Sequence, residues 1–524
     1  MSDAYDSPRD PPGAQRWGAL ATMCLAVTVI VMDGSIVNVA LPTLSERLPG
    51  VGTSRLQWIV DAYLLAFASL LLVAGAAADR FGRRRMLLAG LVLFAATSTG
   101  AALAPSAATL IAWRAMMGVG AAMIFPSTLA IIADAFKAPG ERRFAISVWA
   151  GVSGLGVAIG PVAGGWLLQR YEWGSIFLVN IPLILAALIG VLATTQESRD
   201  PDGGSLDPIG NVMAALGIFM LVGALIEAPE VGWGSAPIIG SIAAAAMCLG
   251  GFISWERRAR RPMLDPAWFE NADFAAGCLA LASAFFCLFG FVFMVTQYFQ
   301  FVRRYDAFEA GLRTTPFAAF ILLGAMLASR LGGEKSRRWL VGGGLLLMAV
   351  GFAWSTRDQQ SSSYGLLVAQ MGAVGVGLGL VNAAGTEAIM GSLPRSRAGA
   401  GSSVNDTVRE VGGAFGVALM GSLFNSVYRN FLSDALSAAP LPPDAKAMML
   451  KSAGAAGVVV RRIESFGGDA AAAMAREAVV SAFLKGFHAA SWGACVVALI
   501  GAAMAWWRLS GVSAKISDEA CGEE

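Results

Sequence analysis

The sequence predicts an all-α polytopic membrane protein: two six-helix bundles, an inserted pair of central helices, and fourteen transmembrane helices in all. Three observations carry this. Of 524 residues, 56% are hydrophobic and only 14% charged, where soluble domains carry about 25% charged residues. Apolar runs near the length a bilayer demands, about 20 residues, recur along the whole chain between charged or Pro/Gly-rich breaks. These runs group as six, two and six, which suggests a duplicated core with a helix pair at its middle.

Taken in order, residues 1–16 form a polar tail containing Pro8, Pro11 and Pro12. The apolar run that follows is too long for a signal-peptide core of roughly 7–15 residues, so it is expected to stay as the first span. The first bundle, 17–195, holds spans at 17–41, 56–78, 86–104, 107–129, 145–168 and 174–195. A polar break from Gln196 to Asp207 leads to the inserted pair, 208–227 and 235–254, within 208–254. The second bundle, 272–508, holds spans at 272–298, 312–330, 339–355, 364–389, 401–427 and 486–508. It includes an Ala-rich, helix-prone loop at 428–484, and 509–524 form a tail. Sixty-two Gly with abundant Ala suit helices that approach closely.

Charge sets the orientation. With the N-terminus inside, the cytoplasmic segments hold 22 Lys/Arg and the short outer loops seven. The densest clusters are Arg80/Arg83/Arg84/Arg85, Arg257/Arg258/Arg260/Arg261 and Arg330/Lys335/Arg337/Arg338. The positive-inside rule places both termini in the cytoplasm and the 428–484 loop outside.

Several functions are disfavoured. The net charge of +2 gives no reason to expect a nucleic-acid partner. Six Cys form no Cys-x-x-Cys pair and His488 is the only His, so neither a metal site nor a cofactor is expected. No Gly-x4-Gly-Lys-Ser/Thr phosphate loop occurs. No nucleophile–base arrangement supports a membrane-embedded enzyme.

The buried charges carry the chemistry. Asp33 interrupts an otherwise apolar run, and an intramembrane acid is costly and by default functional. At 1.5 Å per residue, Asp33 lies about 12 Å below the outer end of span 1, Asp61 about 8 Å below that of span 2 and Arg114 about 11 Å below that of span 4. Matched depth predicts that Arg114 pairs with Asp33, Asp61 or both; a static pair that only fixes packing is the alternative. Glu387 near the end of span 12, with Asp406, Arg409 and Glu410 in the first turns of span 13, form a second cluster that handles protons or cationic substrate, or else only meets helix dipoles and water. Asn38, Gln297, Gln300 and Asn382 are candidates to line a cavity or to bond between helices. Gly156, Gly160 and Gly164, spaced by four, give span 5 a close-packing face, and Pro161 permits a bend.

Motifs extend this reading. Gly75-Ala-Ala-Ala-Asp79-Arg80-Phe81-Gly82-Arg83-Arg84-Arg85 resembles the loop 2–3 signature of the major facilitator superfamily, and Arg114-x3-Gly118-x-Gly120 its span 4 motif. Gly156-x3-Gly160-Pro161-x2-Gly164-Gly165 resembles its antiporter motif. Asp33-x4-Asn38-Val39-Ala40-Leu41-Pro42 is similar to the span 1 signature of the fourteen-span drug:proton antiporter family, the EmrB/QacA branch. Trp173-x3-Phe177-x2-Asn180-Ile181-Pro182, Glu387 to Pro394 and Ser403 to Gly413 add to the match. The resemblance implies the major facilitator fold. It also implies a cytoplasmic latch at Gly75, Asp79, Arg80, Gly82, Arg83 and Arg84, with span 5 between the two halves. The expected activity is proton-coupled export of amphipathic, often cationic, compounds across a bacterial inner membrane by alternating access. The expected partners are a small-molecule substrate, protons and the bilayer; a periplasmic adaptor is left open. A dedicated exporter of one metabolite or self-made antibiotic is the alternative.

Overall fold

In lipid, a backbone amide or carbonyl without an internal partner is costly, so long apolar runs become helices. The computed structural model, which describes residues 13–47, 53–199, 207–259, 262, 264–305, 307–332, 336–393, 397–437, 441–451, 453–465 and 469–509, obeys this throughout. Among the described residues, 14 helices are long and apolar enough to cross a membrane.

The first six spans are α1 (Gly13–Arg47), α2 (Thr53–Phe81), α3 (Arg83–Ala102), α4 (Ala107–Ala135), α5 (Pro139–Arg170), and α6 (Ser175–Leu178) continued by α7 (Asn180–Thr194). The inserted pair is α8 (Pro208–Val231) and α9 (Ala236–Glu256). The remainder comprises α10 (Ala272–Gln297), α11 (Ala307–Leu331), α12 (Arg337–Ser355), α13 (Tyr364–Gly391), α14 (Ala398–Leu436), α15 (Pro443–Lys451), α16 (Ala453–Ser465) and α17 (Asp469–Arg508). Local chemistry sets several boundaries. Ser106 and Thr109 form a capping box at α4, and the Asp207 side chain caps α8 at the Ile209 amide, 3.0 Å away. Gly82, at φ +111, breaks α2 from α3 with a conformation that favours glycine.

One apolar core runs through α1–α7 and another through α10–α17. The halves meet where α2 and α4 pack on α14, and where α5 packs on α11 and α13. The α8–α9 hairpin lies against α2, where Ile218 and Val222 cover Leu65 and Ala68. Its turn is tied to α14 by Trp233 Nε1 donating to Ser422 Oγ at 2.7 Å. Side chains such as Met247 and Trp507 stay 71% and 74% exposed, as lipid-facing positions should.

Two spans differ from the expectation in length. Helix α14 runs on to Leu436 and α17 begins at Asp469, so the 428–484 stretch is largely helix, with α15 and α16 between. Hydropathy marks where a chain leaves lipid; a helix continues as long as its backbone bonds do. Helix α1 begins at Gly13, four residues ahead of Trp17, where the expected span starts. Residues 1–12 and 510–524, with Arg260, Arg261 and Lys335, lie outside the described residues.

Candidate functional site

Asp33 on α1 and Arg114 on α4 form a fully buried ion pair, both at 0% exposure. Of the two acids that could have met Arg114, Asp33 is the one it pairs with here; Asp61 on α2 is half-buried. The pair is well supplied with further partners. Arg114 Nε donates to the Ile59 carbonyl at 3.0 Å, and its guanidinium lies 4.3 Å from the Tyr63 ring centroid. Asn180 Nδ2 donates to Asp33 Oδ1 at 2.8 Å and to Ser98 Oγ at 3.1 Å. Tyr63 in turn donates to the Ile30 carbonyl at 3.1 Å. Such support is needed, because a buried ion loses several kcal/mol of hydration, and the attraction repays this only with good geometry and added hydrogen bonds. Asn180 belongs to this site, although the sequence marks it only as part of the Trp173–Pro182 motif. An amide two positions before Pro182 in an apolar span was the available signal.

The second cluster lies on α14. Asp406 accepts from Asn405 Nδ2 at 2.9 Å, and Asn405 accepts from Thr386 of α13 at 3.0 Å. Arg409 stands one turn on, only 4% exposed, with its Nη1 3.6 Å from Asp406 Oδ1 and making no hydrogen bond. Nη2 reaches Ser153 Oγ of α5 at 3.5 Å. Three rings surround the guanidinium: Phe285 of α10 at 4.3 Å, Trp149 of α5 at 5.3 Å and Phe125 of α4 at 5.5 Å. Trp149 is held in place by its indole N–H, which donates to Thr128 Oγ1 of α4 at 3.1 Å. A desolvated cation gains about 2 kcal/mol or more from such a ring face. Rings also bridge the two clusters, since Tyr63 stacks on Phe67, Phe67 meets Phe125, and Phe125 meets Trp149.

The halves are fastened on the face where the α2–α3, α4–α5, α11–α12 and α13–α14 turns gather. This face is rich in Arg and is called the basic face below. Asp79, at the end of α2 and 5% exposed, accepts from the Gly399 and Ala400 amides at 3.0 and 2.9 Å. It therefore caps α14 from outside, at the end where free N–H groups and the helix dipole favour an anion. Arg83 holds the same carboxylate through Nε at 3.0 Å and Nη2 at 2.8 Å. Gly75, one turn earlier, permits the close approach: a Cβ there would lie 2.6 Å from the Gly399 carbonyl. Arg80 is exposed over Phe81, and the Arg84 amide and guanidinium turn to Glu197 and the Leu192 carbonyl. The Arg84 contacts join α3 to α7 and the segment that follows it, within the first half.

A second fastening lies beside the first. Arg143, at the start of α5, donates to Glu387 of α13 at 3.1 Å and to the Gly332 carbonyl after α11 at 2.6 Å. Arg142 reaches the Met390 carbonyl at 3.0 Å. Glu387 therefore sits at a closure on the basic face, paired across the halves with Arg143.

Helix α5 uses two faces. Gly156, Gly160 and Gly164 face α1, at Val31, Met32, Ser35 and Ile36. Pro161 and Gly165 face α11, at Gly311 and Phe308. The glycine stripe therefore seats α5 within its own bundle, and the neighbouring face meets the other half. Of the cavity candidates, Asn382 is 2% exposed and donates across the halves to the Ala150 carbonyl at 3.1 Å. Gln297 bonds its own helix at Phe293, Gln300 is half-buried, and Asn38 is exposed.

Comparisons with known proteins agree with this geometry. The sequence model described as Major Facilitator Superfamily matches residues 23–417. The multidrug efflux pump LfrA of Mycolicibacterium smegmatis is 35% identical over 79% of this chain and 82% of its own length. The tetracenomycin C resistance and export protein of Streptomyces glaucescens is 32% identical over 93% of this chain and 91% of its own. Among solved structures, the proton:xylose symporter XylE shares the fold, with a TM-score of 0.61 at 14% identity over 95% of this chain and 98% of its own. Six helices and six, fastened on one face and carrying a buried ion pair in the first half, are thus joined to sequence identity along most of the chain, and the protein belongs to the Major Facilitator Superfamily.

Proposed function

We propose that the protein is a proton-coupled antiporter that exports amphipathic, often cationic, compounds across a bacterial inner membrane, with both termini in the cytoplasm. The basic face is then cytoplasmic, and the Asp79 and Glu387 fastenings close that side. Residues 17–195 and 272–508 are the units that rock against each other, while 208–254 packs beside the α2–α14 contact. Export as the direction of transport is supported by the names of the two sequence relatives.

The Asp33–Arg114 pair carries the reading. A proton reaching Asp33 neutralises one partner and releases Arg114, Asn180 and the α1–α4 contact together. Loss of one partner of a buried pair is worth about 3–5 kcal/mol. One elementary charge moving down 100 mV supplies about 2.3 kcal/mol, so a proton moving down about 200 mV supplies about 4.6 kcal/mol, which lies within that range. Helix α1 lies on the glycine face of α5, and α5 carries Arg143, so movement at Asp33 has a mechanical route to the cytoplasmic closure. Helix α14 adds a second route, because Gly399 at the latch and Asp406 stand seven residues apart on one rod, about 10 Å.

The test is ethidium uptake by everted membrane vesicles containing the protein and energised by a proton gradient. Uptake that collapses with the gradient is expected; no response across a panel of cationic dyes refutes the reading. The tetracenomycin exporter matches more of this chain than LfrA does, which favours a dedicated exporter as the second reading. Transport of one compound to the exclusion of the dye panel would select it.

A further inference from the structure

We propose that Arg409 is a built-in stand-in for the transported cation: it fills an aromatic box that a lipophilic organic cation enters by displacing it. The inference rests on the export reading above and adds the place and the competitor.

The box is built for a cation. Phe285, Trp149 and Phe125 present ring faces to the guanidinium at 4.3, 5.3 and 5.5 Å, and faces of this kind recognise ammonium and other organic cations. The rings come from both halves, α4 and α5 on one side and α10 on the other, so the box is complete only when the halves close around its occupant. Polar support for Arg409 is thin for a group 4% exposed: a 3.5 Å contact to Ser153, a 3.6 Å approach to Asp406, the through-space charge of the adjacent Glu410, and Nη1 without a hydrogen bond. Arg114 also has one nitrogen, Nη2, without a hydrogen bond, but it makes a closer ion pair and a 3.0 Å bond to a carbonyl. A guanidinium so held is displaceable, and Asp406 is the counter-ion it would yield. Occupying the box between cycles keeps a buried carboxylate paired and the rings apart when no substrate is present.

The experiment measures tetraphenylphosphonium binding to the purified full chain in lipid nanodiscs. Arg409→Gln is expected to bind at least about 10-fold more tightly than the parent, equivalent to about 1.4 kcal/mol. Arg409→Lys, which keeps the cation, is expected within about 3-fold of the parent. Adding Phe285→Leu to Arg409→Gln is expected to abolish the gain, which mere relief of charge repulsion would leave intact. Equal or weaker binding by a folded Arg409→Gln variant, or a gain that survives loss of the ring, overturns the proposal.

A measurement on the parent protein guards against variants that fail to fold. Phenylglyoxal modification of Arg409, read by mass spectrometry, is expected to rise at least about 3-fold with saturating tetraphenylphosphonium, as the ligand shifts the side chain out of the box. No change, or protection, overturns the proposal. Vesicle uptake of ethidium decides the export reading separately. Uptake without a gain in Arg409→Gln refutes the stand-in and leaves the exporter; the gain without uptake establishes the box and refutes the exporter.

Discussion

Removing the Arg114 guanidinium while Asp33 stays in place strands a carboxylate with no solvent exposure. Arg114→Ala loses the ion pair, the bond to the Ile59 carbonyl and the contact with the Tyr63 ring, with Asn180 still donating to Asp33. Breaking a buried pair from one side costs about 3–5 kcal/mol, and the remaining Asn180 bond places this variant at the lower end. Asp33→Asn is the milder change: Arg114 keeps Ile59 and Tyr63, and an asparagine oxygen can still accept a bond. The double variant carries neither charge, so it is expected to be more stable than Arg114→Ala alone. The coupling between the two sites is expected to be about 2–3 kcal/mol, near the top of the range for residues in contact. Reversible unfolding of the purified protein by a denaturing detergent, followed by tryptophan fluorescence, measures all three variants. Additivity within about 0.5 kcal/mol would refute the claim that the two side chains stabilise each other.

Three further outcomes follow from the geometry. Asp79→Ala removes the carboxylate that caps α14 and breaks its buried ion pair with Arg83, and is expected to cost about 3–5 kcal/mol; hydrogen exchange at the Gly399 and Ala400 amides should accelerate, and unchanged exchange would contradict the latch. Gly160→Ala puts a Cβ 2.7 Å from the Met32 carbonyl and is expected to destabilise the α1–α5 contact by about 1–3 kcal/mol, whereas Gly140→Ala, with nothing within 4 Å, should be neutral or slightly stabilising in the same unfolding assay. Burial pushes Asp358, between α12 and α13, up to about 6 from 3.8 against the opposing bond from Gln370. The folded state thus holds that proton more tightly than the unfolded one, and the stabilisation is complete below pH 3.8 and lost as pH rises through about 6. Asp358→Asn should flatten the stability profile across that window, and an unchanged profile would contradict the assignment.

How far the sequence could be read follows from what kind of contact each residue makes. The helices were legible because hydropathy alone drives them, and the Asp33–Arg114 pairing because depth along two helices can be counted from sequence. The choice of Asp33 over Asp61 was not legible, since rotation about the helix axis depends on packing against neighbours. Asn180 does not stand out in the sequence, because a neutral amide in an apolar span looks like ordinary helix–helix bonding. The Gly156–Gly160–Gly164 spacing announced a close contact without naming the partner, which proves to be α1. Glu387 and Asp406 lie near the same end of neighbouring spans in the sequence, yet Glu387 turns to Arg143 across the halves. The box around Arg409 was out of reach, because Phe125, Trp149 and Phe285 come from three helices and nothing in their spacing links them. Arg80 and Arg84 shared a motif with Asp79, but a motif does not say which of its basic residues faces the other half.

Proton flux through Asp33 is the most direct test of the central claim. Proteoliposomes containing the purified chain and an internal pH dye, challenged with ethidium in the absence of any imposed gradient, report exchange of dye for protons. The parent protein is expected to move protons against ethidium and to stop when the liposomes are made permeable to protons. Asp33→Asn, folded and correctly inserted, is expected to show no ethidium-driven proton movement; proton movement at the parental rate in that variant would contradict the account.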